Sequence, residues 1–403
     1  MASDPFSLRA IALPVYAPSF LFGLGEGAIL PVIALSVRQL GGSVALAALI
    51  VTLIGIGSLV TNIPASIITT RYGERWAIVG AALWAALAVM LCVLVDNIWV
   101  FATGIFMVGM ASSVFGLARQ SYLTEVVPFH YRARALSTLG GVMRIGLFIG
   151  PFVAAALIQA MGIGGAYWAG AGALILAAVV ALRMPDLPPP PPPDPGVELP
   201  QVRAAPTLRS IGSDHARLFV TLGLGVLLIS AVRSSRQAVI PLWADHIGLD
   251  AAVTSLIYGL AGGIDMLVFY PAGKLMDRKG RSWVAVPSMV IMGCALLLTP
   301  FTHGAGTLLM VSLLIGFGNG IGSGLIMTLG ADHAPVAGRA HFLGLWRLLS
   351  DLGSTAGPAL LSGVTALLSL AAGVACIGIV AFAAAAVLGH WIPRSKARTA
   401  RPG

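Results

Sequence analysis

Eight of the ionisable residues within long apolar segments of this 403-residue chain are candidates for function. They are Glu26, Arg119, Arg144, Arg233, Arg236, Asp265, Arg347 and Asp351. Ionisable groups at mid-depth in a bilayer are costly, and they commonly belong to proton relays, solute pathways or buried ion pairs. Their types and positions therefore predict proton transfer, or recognition of a charged solute, inside a membrane.

Glu26 stands between Gly25 and Gly27 and is our first candidate for proton coupling. Burial disfavours the charged form of a carboxylic acid, so a buried carboxyl group can take up and release a proton near neutral pH. The alternative is that Glu26 stays ionised beside an arginine of the fourth or seventh apolar segment.

Arg233 and Arg236 are three residues apart and share one face of a helix. If both face a cavity, they favour an anionic substrate or a counter-carboxylate. If they pair instead with Glu26 and Asp351, the cavity is close to neutral. The sequence leaves both interpretations open, and with them the charge of the substrate. Arg347 and Asp351 are four residues apart, so they can also pair with each other.

The composition shows what kind of element must hold these groups. Hydrophobic residues make up 58% of the chain and charged residues 10%, whereas a soluble domain usually has about 25% charged residues. So much apolar surface predicts a lipid environment, and the 49 glycines suit close packing of helices in a membrane. The net charge of +9 is explained by basic cytoplasmic loops, so we expect no nucleic-acid partner.

Twelve apolar segments are long enough to cross a bilayer, which takes about 20 residues, or about 17–25 with tilt. The predicted spans, numbered 1 to 12, are 11–36, 44–69, 76–95, 98–122, 134–160, 165–183, 216–243, 251–274, 283–301, 305–328, 339–367 and 371–391. Basic residues are concentrated in alternate loops and in the tail, which places both termini in the cytoplasm. We therefore expect an all-α, multi-pass protein of a bacterial cytoplasmic membrane.

A polar, proline-rich stretch separates spans 6 and 7. It contains the unbroken run 188–193, which favours extended polyproline and a semi-rigid linker, with a docking site for a proline-reading partner as the alternative. The predicted division is an N-terminal six-helix bundle at 1–183, a cytoplasmic linker at 184–215 and a C-terminal bundle at 216–403.

Residues of the same type recur 207 positions apart along the two halves. The matches include Arg71 and Arg278, Gly73 and Gly280, Pro128 and Pro335, Arg132 and Arg339, Gly146 and Gly353, Gly150 and Gly357, and Pro151 and Pro358. One constant offset over separate segments indicates duplication of a six-span unit. Two repeated bundles with a site at their interface are a common transporter plan.

Residues 273–281, GKLMDRKGR, resemble the loop signature G-x-L-x-D-R-x-G-R of the major facilitator superfamily. The equivalent segment 66–75 is a degraded copy, with Thr70 where the family has aspartate. The motif positions in this chain are Gly273, Asp277, Arg278, Gly280 and Arg281, with Arg71 and Gly73 in the first half. The resemblance implies the major facilitator fold, two pseudo-symmetric six-helix bundles.

The resemblance also implies contacts between the halves. The Asp277 carboxylate can lie at the positive N-terminal end of span 5, near Arg132 and Arg134, and latch the cytoplasmic side. The alternative is a topology anchor without a switching role. In the family, spans 5 and 8 face each other, and a rise of about 1.5 Å per residue places Arg144 and Asp265 at similar height. We therefore expect these two residues to pair across the halves, as a lock, a proton-sensitive switch or a structural contact.

A second motif, GLFIGP at 146–151, is similar to the G-x-x-x-G-P pattern of antiporters in this superfamily. Its residues are Gly146, Gly150 and Pro151, repeated in span 11 as Gly353, Gly357 and Pro358. The pattern's later glycines are replaced here by Ala154 and Ala155. Because duplication and small-residue packing would also give this repetition, the antiporter and the packing interpretations both stand.

The resemblance implies a secondary active transporter, similar to drug–proton antiporters, that works by alternating access. We expect proton-coupled efflux of drugs or amphipathic metabolites by a monomer, with Glu26 on a helix that lines the central cavity. The alternatives are a proton symporter or uniporter that takes up a small organic solute, and a membrane sensor that has lost transport.

Enzymatic activity is not expected. Asp265 and Asp351 lack the G-x-G-D context of intramembrane aspartyl proteases, and no nucleotide-binding G-x-x-x-x-G-K loop occurs in the chain. The cysteines Cys92, Cys294 and Cys376 lie singly in apolar runs, so the sequence predicts neither a metal site nor a cofactor.

Overall fold

The computed structural model describes residues 8–127, 129–186, 208–335 and 339–399, and within these ranges the chain forms helices and no strand. Eleven of the helical segments are long and apolar enough to cross a membrane. A twelfth, Arg339–Leu367, matches them in length but carries Arg347, Ser350, Asp351 and Ser354. The predicted all-α architecture of twelve spans in two bundles is confirmed.

The spans follow the predicted order, with a short helix at Leu208–Asp214 before span 7. In the first half, spans 1 to 6 are Leu8–Ile29 continued by Ile33–Gln39, then Val44–Tyr72, Glu74–Leu94, Ile98–Val126, Phe129–Met161 and Gly164–Ala181. In the second half, span 7 consists of Ala216–Leu218, a π-helical turn at Phe219–Gly223, and Leu224–His246. Spans 8 to 12 are Ala251–Lys279, Ser282–Leu298, Ala305–Ile321 continued by Leu325–His333, Arg339–Leu367 and Leu370–Thr399.

Spans 2 and 8 extend beyond their predicted ends and stop at equivalent glycines. Gly73 has φ +80° and Gly280 has φ +96°, a conformation that side-chain-bearing residues rarely adopt. Their N–H groups donate to the carbonyl oxygens of Thr69 and Met276, each at 3.0 Å. The helices therefore continue past their apolar segments until a glycine allows the chain to turn.

Span 10 is broken, although the sequence predicted one continuous helix. The first part ends at Ile321, and Gly324, in the left-handed conformation with φ +81°, precedes the second part. Non-helical backbone is tolerated at membrane depth where it is buried in protein or lines a cavity. At the break the Gly322 carbonyl accepts from the Leu325 N–H and also from Arg233 Nη1, each at 3.2 Å.

The glycines of the two G-x-x-x-G-P segments lie where two helices approach most closely. A Cβ at Gly146 would overlap the carbonyl oxygen of Phe20 in span 1, and a Cβ at Gly353 would overlap that of Leu227 in span 7. Residues 20 and 227 are themselves 207 apart. The same helix contact therefore occurs in both halves, and small residues permit it.

The two halves meet through spans 2 and 11 and through spans 5 and 8. Gly55 packs against Thr355 in the first contact, and Gly263 packs against Phe148 in the second. This confirms that spans 5 and 8 face each other. The proline run 188–193 lies outside the described residues, so the division into 1–183, 184–215 and 216–403 stays a prediction.

Candidate functional site

Two cavities of about 370 and 230 Å³ lie between the halves. Side chains of spans 2, 7, 10 and 11 surround the larger one, and side chains of spans 1, 5, 7, 8 and 10 surround the smaller one. Both are lined by Arg233, Arg236, Gln237 and Asn319. Because the walls come from both halves, a change in the angle between the bundles would reshape the site.

A hydrogen-bonded network in the second half forms the shared wall. Asp265 of span 8 accepts from Arg236 Nη2 at 3.2 Å and from Asn319 Nδ2 at 2.5 Å. Arg233 donates from Nε to Asn319 Oδ1 at 2.6 Å and from Nη1 to the Gly322 carbonyl at 3.2 Å. Asn319 therefore links Arg233 to Asp265, and Arg236 pairs with the same carboxylate directly.

The expected pair between Arg144 and Asp265 is not formed. Asp265 pairs with Arg236 of its own half, and the Arg144 guanidinium lies 4.3 Å from the ring centroid of Phe269, one turn along span 8 from Asp265. Arg144 does line the smaller cavity with Asp265. The two residues therefore face the same cavity, as their predicted similar height allows, but Arg144 lies over the ring rather than beside the carboxylate.

Glu26 lies apart from this network, within the first half. Its carboxylate accepts a hydrogen bond from Ser112 of span 4, and the positive charge of Arg119 acts on it. The Arg119 guanidinium lies 5.9 Å from the ring centroid of Phe115, and its Nε and Nη1 are buried without a hydrogen-bond partner in the described part of the chain. Glu26 lines neither of the two cavities, contrary to the expectation from the family.

Asp351 of span 11 connects the halves through an uncharged partner. Its Oδ2 accepts from Asn62 Nδ2 of span 2 at 3.0 Å, and Ser113 donates to Asn62 Oδ1 at 2.7 Å. Arg347 Nε lies 3.8 Å from the same carboxylate, as the spacing of four residues predicted. Neither Asp351 nor Glu26 therefore neutralises the arginines of span 7.

Sequence reasoning missed three polar residues that organise these contacts. Asn62, Ser112 and Asn319 are uncharged, so a search for ionisable groups passes over them. A usable signal exists for two of them, because an asparagine amide inside an apolar segment has two donors and an acceptor that require partners.

Contacts at equivalent positions are retained between the halves, but their charges are exchanged. Glu26 and Arg233 are 207 residues apart, as are their partners Ser112 and Asn319. Two contacts between the halves are related in the same way: Asn62 contacts Asp351, and Arg144 contacts Phe269. Asn62 and Phe269 are 207 residues apart, and so are Arg144 and Asp351. The repeat is therefore preserved in geometry and not in charge.

A further pair joins the halves at the predicted extracellular end. Arg38 Nε lies 3.1 Å from Asp245 Oδ2, and these residues are also 207 apart. Nearby, Ser362 at the end of span 11 donates to the Ala45 carbonyl at the start of span 2, at 2.7 Å. Solute access from this end would require these contacts to separate.

Charge reversal at Arg38 is expected to weaken the contact between the halves at the predicted extracellular end only slightly. The side chains of Arg38 and Asp245 are 37% and 33% exposed, and such pairs contribute about 0.2–1 kcal/mol. Arg38→Asp and Asp245→Arg should each speed hydrogen–deuterium exchange at the adjoining ends of spans 1 and 7. The double exchange should return towards the wild-type rate, and a double variant no slower than either single one would show that the pair contributes nothing.

The loop motif makes contacts within each half. Arg281 donates to both carboxylate oxygens of Asp332 at the end of span 10, at 2.7 and 3.1 Å. In the first half, Arg75 donates to Asp186 at 2.6 Å. The side chains of Asp277, Arg132 and Arg134 lie outside the described part of the chain, so the proposed latch stays a prediction.

Comparison with known proteins agrees with this architecture. A family model described as Major Facilitator Superfamily matches residues 17–358. The multidrug resistance protein MdtG of Enterobacter lignolyticus (strain SCF1) is 25% identical over 304 residues, covering 73% of this chain and 70% of that protein. The uncharacterized MFS-type transporter YdeG of Bacillus subtilis (strain 168) is 26% identical over 378 residues, covering 88% and 85%.

A solved structure shares the complete fold. A POT family transporter in complex with 5-aminolevulinic acid superposes with a TM-score of 0.76 at 13% identity, covering 97% of this chain and 98% of that one. Two pseudo-symmetric six-helix bundles, a polar site between them and a family match over most of the sequence lead to one conclusion. The chain belongs to the Major Facilitator Superfamily of membrane transporters.

Proposed function

We propose that this transporter exports small organic molecules in exchange for protons, by exposing its central cavity to the two sides of the membrane in turn. The observation that supports this most directly is the polar cavity between the bundles. Its walls come from both halves and hold charged side chains inside an apolar body. Rocking of the two bundles about such a site would expose it to one side at a time.

Glu26 is the proposed proton carrier. When it is ionised, Arg119 attracts it, and when it is protonated that attraction is lost. The two protonation states therefore favour different arrangements of spans 1 and 4, which carry these two side chains. Because Glu26 lies outside the cavities, protons and substrate would occupy separate sites and influence each other through movement of the first bundle.

The proposed direction is outward. Support comes from the relatives named as multidrug resistance protein MdtG, in Enterobacter lignolyticus and in Salmonella typhimurium, at 25% and 24% identity. The basic residues of alternate loops further support a cytoplasmic location for both termini in a bacterial inner membrane. An exporter in this orientation would load substrate from the side opposite to the Arg38–Asp245 pair.

Neutralisation of Glu26 is expected to uncouple transport from the proton gradient. A substrate found by a thermal-shift library screen would be added outside proteoliposomes. The variant Glu26→Gln should abolish accumulation of this substrate driven by an imposed pH gradient. Counterflow, the exchange of labelled for unlabelled substrate, should persist because it needs no net proton movement. Glu125→Gln is the matched control, since Glu125 is exposed at the C-terminal end of span 4 and should not affect coupling.

Each result of this experiment decides one part of the proposal. Gradient-driven accumulation that persists in Glu26→Gln would remove Glu26 as the proton carrier. Substrate that moves in the same direction as the protons, rather than against them, would replace proton-coupled export by proton-coupled uptake. If none of the compounds that bind shows counterflow, the protein acts as a sensor rather than as a transporter.

A further inference from the structure

The central cavities contain more positive than negative charge. Three guanidinium groups line them, from Arg144 of span 5 and from Arg233 and Arg236 of span 7. One carboxylate, Asp265, lines them among the described residues. An unmatched charge inside a membrane protein is costly, because neither lipid nor an apolar core solvates it.

The one carboxylate is already used. Asp265 Oδ2 accepts from Arg236 at 3.2 Å and from Asn319 at 2.5 Å, so it balances the charge of Arg236. Arg233 donates only to neutral oxygens, the Asn319 amide and the Gly322 carbonyl. Arg144 stacks on Phe269, and no hydrogen bond from its guanidinium is found within the described ranges. Asp265 also attracts Arg144 and Arg233, but it forms an ion pair only with Arg236, and one carboxylate cannot balance three guanidinium charges. Two positive charges of the cavity walls are therefore left uncompensated.

The remaining acids of the membrane region are engaged elsewhere. Glu26 accepts from Ser112, and Asp351 accepts from Asn62 and lies 3.8 Å from Arg347. This separates the two interpretations that the sequence left open. The arginines of span 7 do not pair with these acids, so the cavity is not neutralised by the protein.

We propose that the transported solute is an amphipathic organic anion whose carboxylate or sulfonate binds between Arg144 and Arg233. This rests on the proposed transport function and names the substrate class of the same cavity. Guanidinium groups form strong, charge-assisted hydrogen bonds with such oxyanions. The apolar body of the solute would lie against Val51, Ile54 and Ile326, which line the larger cavity.

The position of the two arginines gives the anion a second role. Arg144 belongs to the first half and Arg233 to the second, and both line the 230 Å³ cavity. An anion bound to both would replace their mutual repulsion by attraction and draw spans 5 and 7 together. Binding would then differ between conformations of the two halves, as a ligand must if it is to shift their balance.

Matched probes test the charge requirement. Binding of 2-naphthoate, naphthalene-2-sulfonate and the neutral 2-naphthamide to the purified full-length protein would be measured by isothermal titration calorimetry at constant ionic strength. The two anions should bind and the amide should bind at least about tenfold more weakly, as expected for the loss of a hydrogen bond to a charged group. Equal binding of naphthoate and naphthamide would overturn the proposal.

Variants locate the anion. Arg144→Gln and Arg233→Gln should each weaken naphthoate binding about tenfold or more, while naphthamide binding stays unchanged. Arg183→Gln is the matched control, an exposed arginine just after span 6 that lines neither cavity, and should bind naphthoate as the wild type does. Wild-type affinity in Arg144→Gln would overturn the proposed site. If Arg233→Gln fails to fold, Arg144→Gln and the carboxylate–amide comparison still decide.

Two further measurements keep this proposal separate from the transport proposal. If a neutral compound shows counterflow and both anions fail to bind, transport stands and the anionic class is wrong. If the anions bind through Arg144 but show no counterflow, the anion site stands and transport fails. Binding of sodium sulfate would be measured as well. If sulfate binds and naphthoate does not, the ligand is an inorganic rather than an organic anion, and the proposed substrate class is overturned.

Discussion

Replacement of Asp265 by asparagine is expected to reduce folding stability by about 1–3 kcal/mol, more than the loss of an exposed ion pair and less than that of a fully buried one. The side chains of Arg236 and Asp265 are only 20% and 17% exposed, so little water is present to replace the lost interaction. Asp265 is also the one carboxylate that lines the cavities within the described ranges. Without it, the guanidinium groups of Arg144, Arg233 and Arg236 would repel one another with no anion between them.

The measurement is thermal unfolding of the detergent-solubilised protein, followed by a fluorescent thiol or tryptophan signal. Asp332→Asn is the control, since Asp332 pairs with Arg281 but is 33% exposed, and it should cost less than about 1 kcal/mol. The double variant Asp265→Asn/Arg236→Gln should recover part of the loss, because it removes the uncompensated charge. If Asp265→Asn unfolds at the same temperature as Asp332→Asn, the network does not stabilise the second bundle.

Substitution of Gly150 by leucine is expected to prevent folding of the first bundle. A Cβ at this position would lie 2.5 Å from the Leu24 carbonyl oxygen and 2.6 Å from the Ala28 nitrogen. Overpacking of a core usually costs about 1–3 kcal/mol because side chains can shift aside. The obstacle here is backbone of span 1, so spans 1 and 5 would have to separate, and the cost should exceed that range.

The yield of monodisperse protein in size-exclusion chromatography checks this expectation. Gly140→Leu is the matched control on the same span, since a Cβ there meets no atom within 4 Å. Gly357→Leu should fail as Gly150→Leu does, because a Cβ at Gly357 would overlap the Ala231 carbonyl of span 7. Normal folding of Gly150→Leu with altered coupling would favour the antiporter interpretation of the motif over packing.

Since the duplication, the two halves have kept the glycines that pack their helices, whereas charged residues at equivalent positions have changed sign. The reason is physical. Gly150 and Gly357 lie against the backbone of a neighbouring helix, where any larger residue would separate the two helices. Glu26 and Arg233 face polar partners instead, and a change there alters chemistry without disturbing helix contacts. Equivalent positions of opposite charge also attract each other when they meet between the halves, as Arg38 and Asp245 do.

The amino-acid sequence by itself determined the twelve spans, the two repeated bundles and the glycines that pack them. These features depend on local properties, the length of an apolar segment and the size of a residue, together with a constant offset between the halves. Even the height of Arg144 relative to Asp265 followed from the rise of a helix.

Only the tertiary structure decided which charges on different spans meet. A pairing depends on how each helix is rotated about its axis, and nearly uniform apolar segments give little periodic signal for that rotation. Asp265 pairs with Arg236 rather than Arg144, and Asn319 and the Gly322 carbonyl at the break in span 10 hold Arg233 beside this pair. The same arrangement places three guanidinium groups and one carboxylate on the cavity walls among the described residues, and so gives the central cavity an excess of positive charge.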